Sequence, residues 1–203
     1  MSEKRDALLH AIGQVESNNN PNIMVGGAKK DLSSMTVGEV LAYQESLPGN
    51  TAAGQWQIKK DSLKSLVHIP TAVVYKKDEN GEILEPKKVE RIEYAKNKDG
   101  TLKLRNPTDF NLDTMFDATA QKWAANALLD RRGFKEFESG QIDEAAMATS
   151  LAKEWASLPD PSKGTNKSFY SGDGTHDRDT KLSTQNVYDL LNVQVARSSR
   201  PTS

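Results

Sequence analysis

Four stretches of this chain open in the same way, with a short polar residue followed by apolar residues three and four apart. Thr36 opens the first, with Glu39 three residues on and Val37, Val40, Leu41 and Gln44 following until Leu47-Pro48-Gly49. Asp117 opens the second, which carries Ala120, Trp123, Ala124, Ala127 and Leu128 as far as Gly133. Asp143 opens the third, with Ala146, Met147, Ser150, Leu151 and Trp155, and Leu158-Pro159 stops it. Ser183 opens the fourth, ahead of Val187, Tyr188, Leu190 and Leu191. A side-chain oxygen at such a position takes up an N–H that the first helical turn leaves orphaned, and the spacing that follows stacks apolar groups on one face. A chain with four such segments must bury their stripes against one another, so a mostly helical core is expected.

Cysteine is absent from the 203 residues, which removes disulfides, thiolate metal sites and thiol nucleophiles together. Stability has to come from packing, and the length suits one core carrying an insertion. The 27 basic and 28 acidic residues leave a formal net charge of −1, which gives no reason to expect a nucleic-acid or anionic-membrane partner. The opening MSEKRDALLHAIGQ is charged and then amphipathic, without the apolar stretch of a signal peptide. No stretch approaches the roughly 20 apolar residues of a membrane span, so no membrane insertion is expected.

Between the helical stretches the pattern changes. NTAAGQWQI alternates around Gln55, Trp56, Gln57 and Ile58 as a short strand or hairpin arm would, and Asp61 to Val67 reads as a helix. Residues 71–105 carry two strong hairpin signals, Asn80-Gly81 and Asp99-Gly100, between charged runs with alternating apolar residues. They are expected to form a β-hairpin insertion. Phe134 and Phe137 read as a short connector, DPSKGTNKSFYSGDGTHD as a long loop, and 193–203 as a flexible tail.

The residue that points to chemistry is Glu16. Ala7, Leu8, Ala11, Ile12 and Val15 recur at helical spacing, and Glu16 lies four residues after Ile12, so its carboxylate shares the apolar face at the C-terminal end of a helix. Lost solvation and the negative end of the helix dipole both oppose its charge, so its pKa is expected to rise. A carboxyl held protonated in this way is suited to general-acid catalysis. A surface glutamate at a fraying helix end is the plain alternative.

Several separated stretches also agree in order: ALLHAIGQVES, a Gly-Gly loop, TAAGQWQI, FDATAQKWAANALLDRRGF, then KEWASLP followed by SFYSGDG. Together they resemble the lambda-type phage endolysins, over about residues 6–175 apart from the insertion. The resemblance implies an α+β, mostly helical, two-lobed lysozyme-like fold, with residues 1–192 as a single catalytic domain interrupted by the hairpin insertion at 71–105. It implies cleavage of the β-1,4 bond from N-acetylmuramic acid to N-acetylglucosamine in peptidoglycan, by a lytic transglycosylase that leaves a 1,6-anhydro end. Glu16 matches the family's catalytic acid, and Gln57 matches a glutamine near that acid on the facing wall of the cleft. Gln55-Trp56 stands where the family has a basic-aromatic pair, and the insertion is longer than the corresponding loop.

Gln57, Trp56, Tyr170, Ser17 and Asn19 are the expected substrate contacts, although Trp56 suits the core as well as a sugar face. Trp123 and Trp155 read as packing residues. Of the other carboxylates, Glu39 belongs to a capping box and Asp61 starts a helix, while Glu45 is a further candidate and Asp31 is the least constrained. His10, His68 and His176 lack ligand spacing, so neither a metal nor a cofactor is expected. Glycan strands are the expected partner of a monomeric protein that acts on the cell wall in the periplasm after release from the cytoplasm or delivery in a virion. The insertion is the candidate docking surface for a virion protein partner. A hydrolytic muramidase of the same fold, or a non-catalytic wall-binding or virion protein, are the alternatives.

Overall fold

The computed structural model describes residues 3–49, 51–67, 110–164, 166–172 and 179–193, and the expected hairpins at 71–105 and the tail from 194 lie outside them. The described residues include seven α-helices, three short 3-10 turns and one small antiparallel sheet, joined by loops. In chain order the helices and strands are α1 Glu3–Ser17, α2 Val37–Ser46, β1 Ala52–Ala53, β2 Ile58–Lys59 and α3 Lys60–Leu66. They continue with α4 Ala118–Arg131, α5 Phe134–Glu138, α6 Glu144–Glu154 and α7 Thr184–Leu191. The architecture is therefore mostly helical, and β1 meets β2 in the register Ala52 to Lys59 and Ala53 to Ile58. None of the helices described is long and apolar enough to cross a membrane.

The expected caps hold these helices in place. Thr36 and Glu39 form a reciprocal capping box at α2, Asp117 accepts from the Ala120 N–H at α4, Asp143 from Ala146 at α6, and Ser183 from Asn186 at α7. Two first-turn donors of α2 have further partners in the segment before α4, Val37 N–H to the Thr114 carbonyl and Gly38 N–H to that of Leu112. Satisfying these groups in this way makes burial of a helix end affordable.

One apolar cluster joins the elements. Leu8, Leu9 and Ile12 of α1, Val40 of α2, Leu63 of α3, Leu128 and Leu129 of α4, Leu151 of α6 and Leu191 of α7 are all at most 1% exposed. Each side chain of that size contributes about 1.5–3 kcal/mol on burial. Ion pairs link the helices at the edge of the cluster. Arg5 of α1 meets Asp130 at 2.7 Å and Glu138 at 2.9 Å, while its guanidinium lies over the Phe134 ring. At the end of α6, Glu154 meets Arg131 at 2.9 Å, Arg132 at 2.8 Å and the Ser62 hydroxyl at 2.6 Å.

Three boundaries depart from expectation, the first two for tertiary reasons and the third for a local one. Gln55, Trp56 and Gln57 do not lie in a strand; they form the turn between β1 and β2, with Gln57 in the left-handed region at φ 44°. That turn is held from outside, since the Gln121 side chain accepts the Gln55 N–H at 2.8 Å and donates to the Pro21 and Phe116 carbonyls. Gly54 has a positive φ, and a Cβ there would meet the Gln121 amide oxygen at 2.4 Å, so only glycine fits. Next, α6 ends at Glu154 instead of Leu158, because Glu154 is committed to two arginines and Trp155 turns its indole N–H to the Trp56 carbonyl at 3.0 Å. Finally, Phe134 and Phe137 belong to a short helix, α5, that follows Gly133 in left-handed geometry, and not to a bare connector.

Candidate active site

Three chain segments meet at Glu16: the end of α1, the β1–β2 turn, and the loop after α6. The first two are joined by Ser17, whose hydroxyl lies 2.6 Å from the Gln55 carbonyl and 3.1 Å from that of Gly13. A hydroxyl has one proton to give, and the shorter contact marks the bond across segments as the principal one. Trp56 strengthens the same seam by donating from its indole to the Leu9 carbonyl at 2.8 Å. A Cβ on Gly13 would meet Asn19 Oδ1 at 2.4 Å, so a larger residue there would displace the Asn19 side chain from its bond to Gln55.

The third segment supplies a direct partner to the acid. The Ser157 hydroxyl donates to Glu16 Oε1 at 2.5 Å. Burial raises the Glu16 carboxyl above its ordinary range, the direction expected from its helix face, and the rise is opposed by hydrogen bonds from the Ser157 side chain and main chain and by the charges of Lys181 and Lys59. Neither lysine is lost in bulk solvent: Lys181 donates to the Val15 carbonyl at 2.6 Å near the end of α1, and the Lys59 ammonium sits 4.4 Å from the centre of the Tyr170 ring. The carboxyl thus has an apolar setting that favours its protonated form and three polar neighbours that favour its ionised form.

The other expected contacts are distributed unevenly. Trp56 is 4% exposed and belongs to the core, so the sugar-stacking alternative for it gives way to the packing one. Ser17 is buried and acts in the seam, with its oxygen also accepting from the Asn20 N–H. Asn19 is half-buried in left-handed geometry and bridges Gln14 and Gln55 through its amide. The Gln57 amide nitrogen donates to the Gly54 and Ile23 carbonyls, which holds the turn. Tyr170 stays partly exposed, its hydroxyl donating to the Lys153 carbonyl at 2.6 Å and its ring lying beneath Lys59. Trp123 stacks on Phe110 at 4.6 Å and Trp155 is buried, both as packing residues.

Among the remaining carboxylates, Glu39 serves its capping box and Glu45 is 3.8 Å from Lys64. Asp31 and Asp61 are exposed. No group of three or more metal-binding side chains occurs among the described residues. A hollow of about 440 Å³ between α5, α6 and α7, lined by Phe137, Ile142, Asp143 and Tyr188 among others, shares no residue with the Glu16 site.

Residue-by-residue reasoning did not anticipate Ser157, Lys59, Lys181 or Gln121. Ser157 lies inside WASLP, one of the stretches that carry the resemblance, but nothing local distinguishes a serine there from any loop serine. Comparison with known proteins found no matching family model, no matching curated protein and no matching solved structure.

Proposed function

We propose that the protein cleaves the β-1,4 bond between N-acetylmuramic acid and N-acetylglucosamine in peptidoglycan, as a lysozyme-like lytic transglycosylase with Glu16 as its acid and then its base. One observation carries the reading: Glu16 of the VES stretch and Ser157 of the WASLP stretch, 141 residues apart, share a 2.5 Å hydrogen bond at a half-buried carboxyl of raised pKa. Two of the stretches behind the endolysin resemblance thus converge on the group that would perform the chemistry.

The reaction needs one carboxyl to work in both protonation states. Glu16 first gives its proton to the glycosidic oxygen as the bond from that oxygen to the muramic anomeric carbon breaks. The carboxylate left behind then takes the proton of the same sugar's 6-hydroxyl while that oxygen attacks the anomeric carbon, closing the 1,6-anhydro ring and restoring the acid. No water is consumed. Burial serves the first step by keeping the proton on Glu16, and Ser157, Lys181 and Lys59 serve the second by stabilising the carboxylate. Ordinary glycosidases divide the work between two carboxylates, whereas the other candidates here are exposed or committed elsewhere.

Mass spectrometry of digested peptidoglycan tests the proposal. Released muropeptides lighter by one water and resistant to borohydride are expected, and Glu16→Gln should lower cleavage about 10²- to 10⁴-fold. Ends that borohydride reduces would make the enzyme a hydrolase. Cleavage undiminished in Glu16→Gln would remove Glu16 from the reaction.

A further inference from the structure

We propose that Ser157 is the positioning residue of this site: its hydroxyl holds one oxygen of the Glu16 carboxyl so that the other carries the transferable proton toward the substrate. The proposal rests on the reading of Glu16 as the acid and adds a residue to it. The contact is short and specific, hydroxyl to Oε1 at 2.5 Å.

The scaffold delivers that hydroxyl from two sides. The Trp155 N–H closes α6 on the Leu151 carbonyl at 2.9 Å, and the Leu158 N–H turns back to the Trp155 carbonyl at 3.0 Å. Trp155 is anchored by its indole on the Trp56 carbonyl, while Leu158 and Pro159 are buried on the far side. Ser157 is therefore suspended between two fixed points, which is what a group that must orient another requires. Serine suits the place chemically. It donates without competing for the proton, and it keeps Oε1 occupied in both states of the acid, so the proton resides on Oε2 before transfer. Lys181, beside the Val15 carbonyl, and Lys59, at the end of β2, are the charged groups that also bear on the carboxyl.

The test uses Ser157→Ala and Ser157→Thr in the full chain, with thermal unfolding to establish that both fold. In Ser157→Ala, kcat should fall about 10- to 100-fold with little change in KM, since a small misplacement of a reacting group costs that much. Loss of a bond that favours the ionised form should also move the Glu16 titration, followed by carbon NMR of the labelled carboxyl, to higher pH, and the alkaline limb of kcat/KM with it. Ser157→Thr, which keeps the hydroxyl, should restore both. Wild-type kcat in Ser157→Ala, or a Glu16 titration that does not move, would overturn the proposal. Should the wild-type protein cut no peptidoglycan, the catalytic reading fails, and the titration still decides whether Ser157 holds the carboxyl.

Discussion

Replacing Glu16 by glutamine should stabilise the protein at neutral pH, by an amount that grows with pH. Burial holds the folded Glu16 carboxyl above its ordinary range, and Ser157, Lys181 and Lys59 offset only part of that rise. Above the ordinary carboxylate pKa the unfolded chain has released this proton while the folded protein still binds it. Stability supplied by the group therefore falls as pH rises, by up to about 1.4 kcal/mol per pH unit, until the folded carboxyl ionises as well. Below the ordinary pKa both states are protonated and the group has no pH-dependent effect. Glutamine removes the charge, and its carbonyl can still accept from Ser157 as Glu16 Oε1 does. Any cost of the new amide is constant with pH, so the slope of the difference is the signal. Urea unfolding of both proteins from about pH 4 to 7.5 measures it, and for chains of this size each kcal/mol appears as about 2–4 °C in Tm. A difference that stays flat across that range, or that turns against the variant as pH rises, would refute the placement of Glu16 in a desolvating site.

Two further substitutions separate scaffold from chemistry. Glu154→Ala leaves Arg131 and Arg132 without the carboxylate they share; both guanidinium groups reach solvent, so the cost at neutral pH should be about 1–3 kcal/mol. Burial alone would raise this carboxyl, but Ser62, Arg131 and Arg132 together hold it below its ordinary range, so the loss measured by urea unfolding should shrink as pH falls through its folded pKa. Trp56→Ala should cost about 3–5 kcal/mol by removing a buried indole and its bond to Leu9. If that variant instead unfolds like the wild type and loses only glycan affinity, Trp56 belongs to the substrate groove.

What could be read from the chain and what could not divide along a physical line. Caps at Thr36, Asp117, Asp143 and Ser183 are local chemistry, settled within three or four residues, and each stands where its sequence places it. The helix face that carries Glu16 follows from the same short-range spacing only in part: Leu8 and Ile12 are buried as their spacing requires, whereas Ala7, Ala11 and Val15 are half-buried and Arg5 and Leu9 complete the buried side. The turn at Gln55 to Gln57 does not follow from it, since it is imposed by Gln121, 66 residues away from Gln55. Nor does the early end of α6, where helical spacing continues through Trp155 and long-range bonds to Arg131, Arg132 and Trp56 prevail. Ser157 was hidden for the same reason, because its role exists only once the loop after α6 reaches α1.

The seam between Glu16, Ser157 and Lys181 also has a consequence in time. A ribosome adding about 5–20 residues per second makes Glu16 about 7–30 s before Ser157. At the start of that interval α1 is a lone 15-residue helix, marginal in water. Neither the burial that raises the Glu16 pKa nor the Ser157 hydroxyl that donates to the carboxyl is in place until the loop after α6 arrives. A nascent or prematurely terminated chain therefore carries Glu16 without the setting that raises its pKa, and that setting is completed only when α6 and the loop beyond it have been made.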